Sequence, residues 1–164
     1  MAVRHAFPSA TLIRPAVMFG PGDAFVTPLL GMLRRAPVFP LFGRGETRLQ
    51  PAYVEDIAKG IVRALRAPDL AYELVGPRVF SYAELLMMIG DAVGRRPVLI
   101  PVPFALWHAA GFAAEILSAS PITRNQIELM QIDNAAAPDA PGFATLRISP
   151  RPLEELLPQM VRKI

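Results

Sequence analysis

The residues able to do acid, base or metal chemistry are few in this chain, and their spacing excludes most catalytic layouts. There are two histidines, His5 and His108, and no cysteine. A His-Glu-x-x-His helix or a Cys/His cluster is therefore excluded, and with it a zinc site of the usual kind. Disulfides and thiolate catalysis are excluded too. The adjacent acids Glu55-Asp56 and Glu154-Glu155 would point apart on a helix, so neither makes an acid/base pair. The two Gly-x-Gly pairs, Gly20-Pro21-Gly22 and Gly43-Arg44-Gly45, lack the continuation of a dinucleotide turn and read as loops. The chain contains no Gly-x-Ser-x-Gly elbow and no Gly-x-x-x-x-Gly-Lys-Ser/Thr loop. Three tyrosines remain. The residues four places after Tyr53, Tyr72 and Tyr82 are Ile57, Gly76 and Leu86. None supplies the lysine that would activate a tyrosine one helical turn away.

The 164 residues suit one domain or a piece of a larger one. Hydrophobic residues reach 52% against 19% charged, and mean hydropathy is +0.35. Such a chain has apolar surface to spare and is expected to cover some of it against another body. The net charge is +3. Its basic runs are only the pairs Arg34-Arg35 and Arg95-Arg96. No basic stripe interleaved with aromatics is present, so a nucleic-acid partner is not expected. The most apolar stretch, from Phe104 to Leu117, holds His108 and Glu115. It falls short of the roughly 20 residues of a membrane span. The first residues do not read as a signal peptide. A cytoplasmic location, peripheral to the inner face of a membrane, is the expectation.

Eighteen prolines punctuate the elements that must position any site. Ala10 to Arg14 reads as a buried strand closed by Pro15, and Phe19 to Asp23 as a turn. Phe25 to Arg35 has helical spacing. Pro37 and Pro40 bracket an extended Val38-Phe39. Arg48 to Val54 reads as extended, with Asp56 capping a helix from Ile57 to Arg66 that Pro68 stops. Ala71 to Val75 is a second strand. Ser81 and Glu84 form a capping box for a helix ending near Gly94. Val98 to Val102 is extended. Phe104 to Leu117, Thr123 to Gln131 and Pro152 to Arg162 read as helices. Asp133 to Gly142 reads as a mobile loop. The strands are too few to complete a doubly wound sheet.

Several of these segments form an ordered set: Arg14–Asp23 (RPAVMFGPGD), Thr47–Ala58 (TRLQPAYVEDIA), Tyr72–Ile89 (YELVGPRVFSYAELLMMI), Gly94–Gly111 (GRRPVLIPVPFALWHAAG) and Ile122–Asn134 (ITRNQIELMQIDN). In this order and spacing the chain resembles the C-terminal part of extended or atypical short-chain dehydrogenase/reductases, the NAD-dependent epimerase/dehydratase-like proteins. It is most similar to the branch of the NAD(P)H-binding accessory subunit of respiratory complex I. The likeness runs from about Val3 to Ile164. It implies an α/β fold made of the late strands of a Rossmann-type sheet and a small mixed α/β substrate lobe. Residues 1–164 would be one unit, and the N-terminal Rossmann half that binds the cofactor would lie outside it.

The resemblance also assigns residues. Pro15, Ala16, Val17 and Phe19 match the segment beside the nicotinamide ring of NAD(P). Arg48 and Tyr53 match positions that face the substrate. No metal is implied. In the family a Gly-x-x-Gly-x-x-Gly turn cradles the pyrophosphate. A Tyr-x-x-x-Lys pair transfers the proton, the lysine lowering the tyrosine pKa. Both motifs are missing here. Val17 stands where nucleotide-sugar epimerases use an asparagine, and valine has no amide to donate. An apolar or quinone-like ligand, or none, is expected instead.

Three expectations follow. The chain is the substrate-side lobe of an oxidoreductase-like protein and is inactive alone. Alternatively it is an assembly module that docks on a membrane-associated respiratory complex, with subunits of that complex or its own N-terminal half as partners. A third reading is a self-associating fragment, a homo-oligomer that covers its bare strand edges.

Overall fold

The computed structural model describes residues 2–67, 71–116 and 124–162. Pro68, Leu117 and Thr123, named above as element ends, lie outside the described residues. The elements run α1 (Ala2–Ala6), β1 (Leu12–Pro15), β2 (Met18–Phe19), α2 (Val26–Arg35), β3 (Val38–Phe42), β4 (Arg48–Leu49), β5 (Ala52–Tyr53), α3 (Val54–Ala64), β6 (Ala71–Leu74) and β7 (Phe80–Ser81). They continue with α4 (Tyr82–Ala92), β8 (Val98–Val102), α5 (Phe104–Ile116), α6 (Arg124–Leu129) and α7 (Leu153–Val161). Two compact units result. One comprises Met1–Thr27, Gln50–Val79 and Ala135–Lys163; the other comprises Pro28–Leu49 and Phe80–Asn134.

In the first unit β1 pairs in parallel with β6, Leu12 opposite Ala71 and Pro15 opposite Leu74. Below it β2 pairs in parallel with β5. Parallel partners need a crossover: α2, β3 and β4 lie between β2 and β5 in the chain, and α3 leads from β5 to β6. The core is built on Tyr72 and Leu74 from β6, Ile57 and Ala64 from α3, and Phe143 and Leu146 from the later segment. Gly60 lets α3 approach β6 closely: a Cβ there would sit 2.7 Å from Leu74 Cδ1. The strand expected over Ala10 to Arg14 is displaced to Leu12–Pro15. The Ala16 N–H donates to Leu74 O at 3.1 Å. Successive amides alternate sides, so the proline nitrogen faces away from β6 and Pro15 is accommodated as the last residue of the strand.

In the second unit β3 and β8 form a parallel ladder in register from Val38–Val98 to Phe42–Val102. The extended Val38-Phe39 is thus the start of a longer strand than its prolines suggest. β4 pairs antiparallel with β7. The capping box on α4 is present: Ser81 Oγ accepts from Glu84 N, and the Glu84 carboxylate accepts from Ser81 N at 2.7 Å. Gly94 closes that helix at φ +73°. α5 is held by Trp107, whose Nε1 donates to Leu41 O at 2.9 Å and whose ring stacks on Phe42 at 4.5 Å.

Two local expectations fail for the same reason. Asp56 does not cap a helix starting at Ile57. It lies inside α3, whose N-cap is Tyr53 without a side-chain hydrogen bond. The segment Asp133 to Gly142, read as mobile, is tied down in both units. Asn134 N donates to Arg48 O at 2.7 Å in one. Ala136 N donates to Gln50 Oε1 at 3.0 Å and Ala137 N to Glu73 Oε2 at 2.8 Å in the other. The partners are distant in sequence and leave no local signal.

Candidate functional site

The first unit gathers five of the six sequence-assigned residues where β1 and β2 end beside β5 and β6. Pro15 closes β1 and is exposed. Ala16 is buried. Val17 is half-buried, and its carbonyl accepts from Ala52 N at 2.9 Å. Phe19 has no exposed surface and packs on Tyr53, ring centroids 5.4 Å apart. Pro15 and Val17 can meet a ligand, whereas Phe19 can only shape the wall behind them.

Tyr53 leads into a charged cluster. The Arg151 guanidinium lies 4.1 Å above its ring. The same guanidinium donates from Nη2 to Asp56 Oδ1 at 3.0 Å and to Glu55 Oε2 at 2.9 Å, and the Arg151 N–H donates to Asp56 Oδ2 at 2.8 Å. Lys59 Nζ donates to Asp56 Oδ1 at 3.2 Å. Burial pushes the Asp56 carboxyl up, but hydrogen bonds from Arg151 and Lys59 outweigh it and hold the pKa below the usual value. Glu55 is lowered by its bond from Arg151 and another from the Tyr53 hydroxyl. Tyr53 is raised, first by burial and then by Glu55. Burial and the neighbouring Glu55 carboxylate thus favour the protonated Tyr53 hydroxyl.

Sequence reading assigned Tyr53 but missed Arg151. Its only signal is a basic residue between two prolines ahead of a helix, and nothing in the sequence pairs it with an acid 95 positions earlier.

Arg48, the sixth assigned residue, belongs to the second unit. Its side chain is exposed, and its N–H donates to Asp133 Oδ1 at 2.8 Å. Asp133 lines a cavity of about 360 Å³ with Phe42, Arg44, Glu46, Thr47, Phe104 and Gln131. Thr47 Oγ1 donates to Met130 O at 2.5 Å, and Gln131 Nε2 is 3.0 Å from His108 Nε2. His108 is thus a positioning neighbour of one lining residue. Two aromatic rings, Phe42 and Phe104, stand in a lining that is otherwise polar and charged. Among the described residues no cluster of His, Cys, Asp or Glu could hold a metal ion.

Of the segment assigned to the nicotinamide side, Pro15 is exposed and Val17 half-buried, while Ala16 and Phe19 are buried. No Gly-rich turn is present to hold a pyrophosphate.

No family model matches the chain. Curated relatives do. It is 31% identical to NADH dehydrogenase (ubiquinone) 1 alpha subcomplex subunit 9, mitochondrial, of Arabidopsis thaliana, over 93% of this chain and 41% of that protein. The rat protein of the same name is 32% identical over the same shares. A ceramide reductase of Caulobacter vibrioides is 34% identical over 62% of this chain and 33% of its own. The chain therefore spans about two fifths of the length of the subunit 9 relatives. Among solved structures, dTDP-glucose 4,6-dehydratase of Bacillus anthracis, in complex with NAD, superposes with a TM-score of 0.65 at 14% identity, over 98% of this chain and 46% of that one. UDP-glucose 4-epimerase of Thermotoga maritima gives 0.60 at 18%, over 93% and 44%. The expected fold class is borne out. In sequence the chain is a homologue of part of the complex I accessory subunit 9, and in fold it is a portion of an NAD-dependent epimerase/dehydratase-type short-chain dehydrogenase/reductase.

Proposed function

We propose that this chain is the substrate-side lobe of an accessory-subunit-like oxidoreductase and does not turn over alone. The observation that carries the reading is the cluster at the strand ends. Pro15 and Val17 offer a surface for a nicotinamide-sized ring, while Tyr53, beside them, is locked by Glu55 and Arg151 rather than activated by a lysine. The N-terminal Rossmann half would come from elsewhere in a longer protein. The share of the subunit 9 relatives that this chain matches supports this.

The ligand is of apolar or quinone-like type rather than a nucleotide sugar. Val17 brings no side-chain amide to hydrogen-bond a nucleotide sugar. The likeness to a protein named for ceramide points the same way. Titration calorimetry of the purified chain with NADH and NADPH tests the reading. Heat of binding in the micromolar range would overturn it.

A second reading follows from the relatives' names. Homologues are subunits of NADH dehydrogenase, so the lobe serves as an assembly module on a respiratory complex. Co-purification of the tagged chain with complex I subunits supports this reading, and its absence under mild solubilisation counts against it.

A further inference from the structure

We infer that the bare side of the β3–β8 ladder, with the arginines at its entry end, is a docking surface for an anionic lipid bilayer. The parallel register sets Val38 opposite Val98 and Pro40 opposite Ile100. Residues two apart share a face, so these four side chains lie together. Val38 is 44% exposed, Val98 61% and Ile100 47%, and Pro40 is exposed too. The opposite side of β3 carries Phe39 and Leu41, at 8% and 3%. At the entry half of the ladder Val38, Pro40, Val98 and Ile100 thus form an exposed aliphatic patch, which ends where Phe42 packs on Trp107.

Charge decides what covers that patch. Both strands start at the same end, where Val98 N donates to Pro37 O at 2.9 Å. Arg34 and Arg35 end α2 just before β3, and Arg95 and Arg96 precede β8. The two basic pairs of the sequence thus meet at one edge of the aliphatic face. Arg96 is engaged by Asp91 at 2.9 Å. Among the described residues Arg34, Arg35 and Arg95 make no ion pair, and all three are exposed. An apolar patch rimmed by unpaired cations matches the acyl boundary and headgroup layer of an anionic membrane. A nucleic acid would match the charge but not the patch, which has no aromatic ring for bases to stack on. No helix among the described residues is long and apolar enough to cross a membrane, so the contact is one of lying on the surface.

The test is co-sedimentation with vesicles of phosphatidylglycerol and phosphatidylcholine in equal parts, against pure phosphatidylcholine, at low salt. The chain pellets with the anionic vesicles only, and added salt releases it. Replacing Arg34, Arg35 and Arg95 together by Gln weakens binding by on the order of a hundredfold, about fivefold per charge. Val98→Ser with Ile100→Ser weakens it by about tenfold. All five positions are exposed, and circular dichroism of each variant verifies the fold. Failure to pellet, equal pelleting with neutral vesicles, or variants that bind like the parent would each overturn the proposal. So would nucleic-acid binding that the arginine variant abolishes while its vesicle binding persists.

Discussion

Asp56 and Arg151, 95 residues apart, are joined by a backbone and a side-chain hydrogen bond at once: Arg151 N–H to Asp56 Oδ2 at 2.8 Å and Arg151 Nη2 to Asp56 Oδ1 at 3.0 Å. Asp56 is 2% exposed, and among the described residues its charge is met by donors from Arg151 and Lys59. The pair ties α3 to the segment that enters α7. Removing the cation strands the buried carboxylate. Arg151→Ala is expected to cost about 2–4 kcal/mol, toward the low side because the guanidinium is half-buried. Asp56→Asn keeps one acceptor and costs about 1–2 kcal/mol. Urea denaturation of both variants and of the double variant checks this. The double variant loses less than the sum, because the two residues share one interaction.

The same cluster sets the pH dependence. Asp56 and Glu55 have lowered pKa values in the fold. As pH falls, the unfolded chain takes up protons first, near the ordinary value of about 4. The stability they contribute is therefore fully present above that range and is lost as pH falls through their lowered folded values. Tyr53 and Tyr82 are raised, Tyr82 by burial and Tyr53 first by burial. Their contribution is complete below about 10 and is lost as pH rises through the raised folded values. Denaturation midpoints across pH give a plateau with two falling limbs. Tyr82→Phe flattens the alkaline limb, and an unchanged alkaline limb in that variant would contradict the assignment.

Gly76 is fixed by a backbone approach. A Cβ at that position would lie 1.9 Å from the Pro51 carbonyl oxygen. Backbone cannot yield as a flexible side chain can, and the contact joins the turn after β6 to the segment before β5. The Gly76 N–H itself donates to Gln50 O at 3.1 Å. Gly76→Ala is expected to lower stability by about 2–4 kcal/mol. A melting temperature within a degree or two of the parent would refute this.

Ser81→Ala is the mild counterpart. It removes one half of the capping box on α4 and should cost about 1 kcal/mol, with the melting temperature as readout.

The contrast between these positions says what the sequence could reveal. Ser81 and Glu84 are three residues apart, and their interaction is written in that spacing. Val98 to Val102 and Ala71 to Leu74 are short β-rich runs bounded by prolines and glycines, and both are strands. Asp56 has an equally plain local pattern, an acid ahead of an amphipathic helix, yet its role is set by Arg151, which no local rule could connect to it. The segment after Asp133 has the composition of a mobile loop and is held by Gln50, Glu73 and Arg48. Pro15, Val17 and Tyr53 came from family likeness, and the strand pairing explains why they lie together. Arg48 falls in the other unit, beside a cavity whose lining residues are scattered from Phe42 to Asp133.

We propose that this chain holds only part of a site: a surface for the nicotinamide end and a locked tyrosine, without the turn that binds the pyrophosphate. Calorimetric titration of the purified chain with NADH and NADPH tests it most directly. No saturable heat is expected up to concentrations of about a millimolar. A one-to-one isotherm with micromolar affinity would contradict it.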